Sequence, residues 1–196
     1  MIIAGRNGTG KSVLASSIAR GWDRVLVYDP NLDPEAVLPN SAVCYGFAAA
    51  YRAIPGRVIW RPTADENDRI PELFDKLVRK LLELGGSHGI VIHEAADLGT
   101  SDRLLRPNTS HLLRTRRRRR IPIIALTQRP VNVARLFISE AQHAALFRLE
   151  DRDDRRRMAE FLGPEVVDEP LPADFSFWYR GPGLRLARIA PLPLGR

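Results

Sequence analysis

Cysteine is almost absent from this 196-residue chain. Cys44 stands alone, which excludes an intramolecular disulfide and suits a reducing compartment. Nothing around it in sequence activates a thiol, so it reads as a small buried apolar residue. Lysine is nearly as scarce: it occurs at Lys11, Lys76 and Lys80 only, although Lys and Arg together number 30. No run approaches the ~18 apolar residues of a membrane-spanning helix, so no transmembrane segment is expected. A Gly-rich motif begins at the fifth residue, so no signal peptide is expected. What the chain has in abundance is arginine. The net charge of +7 and the pI of about 10.3 favour a polyanionic partner, with nucleic acid first and an anionic membrane surface second.

Hydrophobic content of 44% and charged content of 27% are ordinary for a globular protein. A chain of this length buries about 70% of its unfolded surface, so one domain over residues 1–196 is expected. Short Val-, Ile- and Leu-rich runs at Ile2–Gly5, Arg24–Tyr28, Arg57–Arg61, Ile90–His93, Ile121–Thr127 and Ala144–Leu149 do not alternate, as befits buried parallel strands. Helical patterns separate them. One runs from Lys11 to about Arg20. The clearest covers Ile70–Leu84, with Pro71 in its first turn, apolar residues at three-and-four spacing, and Gly85-Gly86 as its stop. A third is expected from Ser110 into the Arg run, and a fourth over Arg152–Leu162. Phe175–Arg180 and Leu184–Ile189 flank Gly181-Pro182-Gly183 and predict a terminal β-hairpin at about 175–190. The Pro/Leu-rich tail from Ala190 to Arg196 is expected to be irregular. The pattern is α/β: a mostly parallel central sheet flanked by helices, with a C-terminal hairpin.

Gly5-Arg6-Asn7-Gly8-Thr9-Gly10-Lys11-Ser12 matches the full phosphate-loop pattern between a strand and a helix. The chemistry demands that arrangement. Glycines let successive backbone N–H groups turn inward on phosphate oxygens, and the following helix adds its positive end. Lys11 brings a mobile charge to the β- and γ-phosphates of ATP, and the Ser12 hydroxyl is suited to Mg²⁺. A second strand ending in acid is expected near that loop. Ile90-Val91-Ile92-His93-Glu94 supplies one, with Glu94 as the residue to polarise the attacking water. His93 occupies the position where a carboxylate usually stands, and a neutral imidazole gives Mg²⁺ no hard anionic partner. Three readings remain open. His93 hydrogen-bonds a metal-bound water, or Asp97 or Asp29 substitutes, or His93 is simply a satisfied buried histidine.

The strand Ile121–Thr127 runs straight into Gln128-Arg129-Pro130. The amide of Gln128 is expected between the phosphate loop and Glu94. Arg116 to Arg120 form an unbroken run of five; Arg152, Arg155, Arg156 and Arg157 are interleaved with Asp151, Asp153 and Asp154 and read as a self-neutralising helix surface.

The phosphate loop, the strand ending in Glu94, the Arg-rich approach and the closing Thr127-Gln128-Arg129-Pro130 together resemble the FtsK–HerA superfamily of DNA-pumping ATPases. Compact size, Asp29-Pro30, Trp60-Arg61-Pro62 and the closing hairpin resemble its small viral branch, the genome-packaging ATPases. The resemblance implies a RecA-like P-loop fold and ATP- and Mg²⁺-dependent translocation of double-stranded DNA. It also implies a homo-oligomeric ring, pentameric or hexameric, with a capsid or vertex protein as a further partner. Its place of action would be the cytoplasm of the infected host or the virion vertex. It implies Glu94 as catalytic base, Gln128 as sensor and Arg117 as the arginine offered to the neighbouring subunit's ATP, with Arg116 and Arg118 as the adjacent choices. Two other readings compete: a small-molecule P-loop kinase with the Arg run as its phosphate-clamping lid, and an ATP-switched assembly or secretion module.

Overall fold

The computed structural model describes residues 1–100, 104–169 and 174–191; most of the expected irregular tail, residues 192–196, lies outside them. One nine-stranded sheet organises the chain. Its elements in chain order are β1 (Ile2–Ala4), α1 (Lys11–Ala19), β2 (Val25–Tyr28), β3 (Ala42–Tyr45), α2 (Phe47–Ala53) and β4 (Arg57–Arg61). Then come α3 (Ile70–Leu84), β5 (Gly89–Ile92), α4 (Pro107–Arg119), β6 (Ile123–Thr127), α5 (Arg135–Ser139) and β7 (Ala144–Leu146). The last are α6 (Arg152–Leu162), α7 (Glu165–Asp168), β8 (Phe177–Arg180) and β9 (Ala187–Ile189). The spatial order is β3-β4-β2-β5-β6-β1-β7-β8-β9. The seven strands from β3 to β7 pair in parallel, and the β8–β9 hairpin adds two antiparallel strands beside β7.

Because strand side chains alternate between faces, each short apolar run serves two cores. Ile2, Leu26, Tyr28, Ile90 and Ile92 face the helices α3 and α4. Ile3, Val25, Val27, Val91 and Leu126 face α1. Burial of a large aliphatic side chain is worth ~1.5–3 kcal/mol, so non-alternating hydrophobicity is the natural sequence of a sheet covered on both sides. Helix α3 lays Ile70, Leu73, Phe74, Leu77, Val78 and Leu81 into the first core, while Leu84 at its end is half exposed.

Four elements escaped the sequence reading. Strand β3 is an edge strand with only Cys44 buried, so it carries no apolar run. Helix α2 follows it at once, and α5 and α7 span only five and four residues. Helix α4 starts at Pro107 rather than at Ser110. The reason is local: Pro107 occupies the first turn, and the buried Asp75 carboxylate of α3 accepts from the Thr109 N–H at 2.8 Å and the Asn108 amide at 2.8 Å.

Candidate nucleotide site

Parallel strands collect their carboxyl ends at one edge, and every motif singled out above except the Arg runs leaves the sheet there. Strand β6 lies between β1 and β5, so Gln128 emerges between the phosphate loop and Glu94, as its position at the strand end predicted. Gly8 and Gly10 take φ of 74° and 97°, the left-handed region in which a side chain is strained. Lys11 is buried at the start of α1 and its Nζ donates to the Arg6 carbonyl at 2.8 Å. Burial lowers its pKa to about 8, opposed by the nearby carboxylates of Glu94 and Asp33. The Thr9 hydroxyl donates to the same carbonyl at 2.8 Å. Asn7, Lys11, Ser12, Asp33, His93 and Gln128 line one polar cavity of about 340 Å³.

Glu94 begins the short turn after β5. Its carboxylate accepts from the Ala96 N–H at 3.4 Å, and also from the Thr127 hydroxyl and the Gln128 N–H. Burial raises its pKa, and those hydrogen bonds oppose the rise. A half-buried carboxylate whose pKa is raised in this way is a stronger base than an exposed one.

Asp33 is the residue that the sequence reading missed. The Ser12 hydroxyl donates to its Oδ2 at 2.5 Å, and His93 Nδ1 lies 3.7 Å from the same oxygen. Its Oδ1 accepts from the Glu35 N–H, capping a short helical turn. Neither acid weighed earlier sits in this place. Asp97 accepts the Tyr28 hydroxyl at 2.7 Å. Asp29, fully buried, pairs with Arg61 at 2.8 Å and accepts the Asp33 N–H at 3.0 Å. Asp29-Pro30 and Trp60-Arg61-Pro62 are therefore one device, an ion pair that holds the loop bearing Asp33. A clue was present in sequence: Asp33-Pro34 five residues beyond a strand end is the pattern of a capped turn, at the edge where an acid reaches the phosphate loop. Hydroxyl and carboxylate oxygens fit Mg²⁺, whereas His93 does not fit as its ligand. His93 is nonetheless buried against Asp33 with its Nε2 unpartnered; burial lowers its pKa, and Asp29 and Asp33 work against that shift.

The arginines behave differently. Arg129 is fixed to α6 by Asp154 at 2.7 Å and Asp151 at 3.3 Å, and Asp154 also accepts the Val131 N–H at 3.0 Å. These contacts pin the turn that carries Gln128. On α6, Arg156 pairs with Asp153 and Arg157 with Glu160, the expected self-neutralising surface. The run Arg116–Arg120 ends α4 at the amino edge of the sheet, because α4 must return there to start β6. It is thus remote from the chain's own phosphate loop and cannot serve it as a lid, which removes the main support for the kinase reading. Arg116 is buried and donates to the Glu140 carbonyl and, at 3.2 Å, to Gln142 Oε1. As an alternative to Arg117 it is thereby committed elsewhere, while Arg117 and Arg118 are exposed.

A phosphate loop entering a sheet of this order defines the fold as that of the P-loop NTPases. No protein-family model matches the chain. Over 111 residues it is 32% identical to the DNA packaging ATPase P9 of Enterobacteria phage PRD1, which covers 55% of this chain and 44% of that protein. The match thus spans less than half of that relative's length. In structure it resembles the genome packaging NTPase B204 of Sulfolobus turreted icosahedral virus 2, solved in complex with AMP, with a TM-score of 0.78 and 16% identity over 97% of this chain and 96% of that one. VirB4 of Thermoanaerobacter pseudethanolicus follows at 0.61 and 11% identity over 98% and 89%. The resemblance drawn from the motifs is borne out as a likeness, in sequence to a viral packaging ATPase and in fold to a viral packaging NTPase and to VirB4.

Proposed function

We propose that this chain is an ATP-hydrolysing double-stranded-DNA translocase that packages a viral genome into a preformed capsid. It acts as a single P-loop ATPase domain repeated in a homo-oligomeric ring. The observation that carries this reading is the polar cavity in which Lys11, Ser12 and Gln128 meet, with the half-buried Glu94 carboxylate close enough to Lys11 to oppose the burial that lowers its pKa. In it the N–H groups of Gly8 to Ser12 bind the phosphates and Lys11 neutralises the β- and γ-oxygens. Mg²⁺ would be held by the Ser12 hydroxyl and the Asp33 carboxylate beside it, and would supply charge neutralisation at the phosphates. Glu94 takes the proton of the attacking water, and Gln128 orients that water against the γ-phosphate. Arg117, exposed at the opposite edge, serves a neighbouring subunit. Duplex DNA is the polyanion that the +7 charge attracts. A capsid or vertex protein is the docking partner, in the infected cell or at the virion vertex; among the described residues no helix is long and apolar enough to cross a membrane.

The test is the ATPase rate with and without duplex DNA. Stimulation by DNA of unrelated sequences is expected. Turnover indifferent to DNA but dependent on a small phosphoryl acceptor overturns the reading in favour of a kinase, and negligible turnover under every condition makes the chain a switch.

A further inference from the structure

A second cavity, of about 350 Å³, adjoins the phosphate loop on its other side. Gly10, the residue before Lys11, is one of its walls; Val13, Phe147, Phe175, Phe177 and Pro191 supply others. None of these side chains carries a hydrogen-bonding atom. Phe147 and Phe177 are buried and pack with ring centroids 4.8 Å apart. Phe175 is 56% exposed, so much of its surface is uncovered, and it sits at φ 61°. A bulky side chain in the left-handed region is a costly conformation, of the kind that collects at ligand sites. The rings also reach the loop itself: a Cβ placed on Gly10 would lie 3.5 Å from both Phe147 Cε1 and Phe175 Cδ1.

We infer that this aromatic slot takes the base of the nucleotide, and that it holds the base by stacking and apolar contact without reading its edge. The inference rests on the proposal that the loop binds a nucleoside triphosphate. The start of α1 lines both cavities, Lys11 and Ser12 the polar one and Gly10 and Val13 the apolar one, and together they divide the chemistry of such a ligand. The polar one, with Lys11, Ser12, Asp33 and Gln128, suits the terminal phosphates; the apolar one suits a flat heterocycle. Stacking on aromatic rings tolerates every base, since each has a π-face, and an apolar pocket rejects polar variants of its ligand weakly. Discrimination among bases is therefore small.

Equilibrium binding of Mg-ATP, Mg-GTP and inorganic tripolyphosphate to the full chain and to Phe175→Ala, Phe175→Leu and Phe175→Trp tests this. Phe175 is exposed, so these variants keep the fold, which circular dichroism and thermal melting verify. ATP and GTP should bind within about 10-fold of each other and both more tightly than tripolyphosphate. Phe175→Ala should weaken ATP by about 5- to 100-fold while leaving tripolyphosphate unchanged. Phe175→Leu should fall between, and Phe175→Trp should retain affinity with its fluorescence altered by the base. ATP binding unaffected by Phe175→Ala, or ATP preferred over GTP by 100-fold or more, overturns the slot. Failure of the wild type to bind either ATP or tripolyphosphate overturns instead the nucleotide reading beneath it.

Discussion

The two edges of the sheet handle positive charge in opposite ways. At the carboxyl edge the cations have carboxylates beside them: Arg61 has Asp29 at 2.8 Å, and Lys11 feels Glu94 and Asp33. At the amino edge, bases neighbour bases. After burial itself, the strongest influence on Arg116 is Arg117, and that on His88 is Arg24; both lower the pKa of the group they act on. His143, with its pKa lowered mainly by burial, feels Arg116 in the same sense. One edge is internally compensated around a site that must be preorganised. The other carries an excess of positive charge outward, only partly offset at Arg116 by Glu140, which suits an anionic partner from outside the chain, whether a neighbour's phosphates or nucleic acid.

The largest expected effect breaks that contrast directly. If the amino edge completes a neighbour's carboxyl edge, Arg117→Ala should bind ATP almost normally and hydrolyse it ~10³–10⁵-fold more slowly, the range of a supplied arginine in phosphoryl transfer. Lys11→Ala, which damages the other edge, should be inactive on its own. Mixing the two inactive variants should restore part of the rate, because some interfaces then join an intact loop to an intact arginine. No recovery on mixing, together with a rate per subunit independent of protein concentration, would show that Arg117 serves no neighbour.

A smaller loss is expected within the carboxyl edge. Glu94→Gln keeps the shape and removes the base, so ATP should still bind while turnover drops by ~10²–10⁴. Asp33→Asn should instead shift the Mg²⁺ concentration needed for tight ATP binding, read by titration at equilibrium without turnover. If Asp33→Asn leaves that Mg²⁺ dependence untouched and Asp97→Asn shifts it, the acid beside Ser12 has been misassigned.

What the sequence disclosed follows the same division. Local chemistry was legible: the eight-residue loop, the strand ending in Glu94 and the Thr127-Gln128-Arg129-Pro130 turn each announce themselves because glycine, acid or amide must follow a buried strand there. Six strands and four helices were legible as well, because apolar runs and helical spacing mark elements buried in a two-sided core. Strand β3 was not, since an edge strand with one buried side chain has no apolar signature. Asp33 was not, since its approach to Ser12 depends on the Asp29–Arg61 pair, whose members are 32 residues apart. The aromatic slot was hidden for the same reason: Gly10, Phe147 and Phe175 meet only through the sheet order.

The smallest effect probes the amino edge without touching catalysis. His88 lies just before β5 and is buried. Burial lowers its pKa from the ordinary 6.5, and the charge of Arg24 adds to that shift. The unfolded chain, free of both influences, binds a proton near pH 6.5, while the folded chain resists it to lower pH. Between the two values the unfolded state holds more protons, so stability must rise with pH. This contribution is fully present above pH 6.5 and is lost as the pH falls through the lowered folded value. His143 acts with the same sign. The melting temperature should therefore be lower at pH 5.5 than at pH 7.5, and in His88→Leu, which cannot take up the proton, the gap should narrow by about 2–4 °C for each 1 kcal/mol of linkage removed. A polyanion bound at the amino edge should narrow it too, by offsetting the repulsion from Arg24 and Arg116. A gap of undiminished size in His88→Leu would assign the acid sensitivity to carboxylates elsewhere. A gap narrowed in His88→Leu yet unmoved by DNA would mean that nucleic acid does not approach this edge.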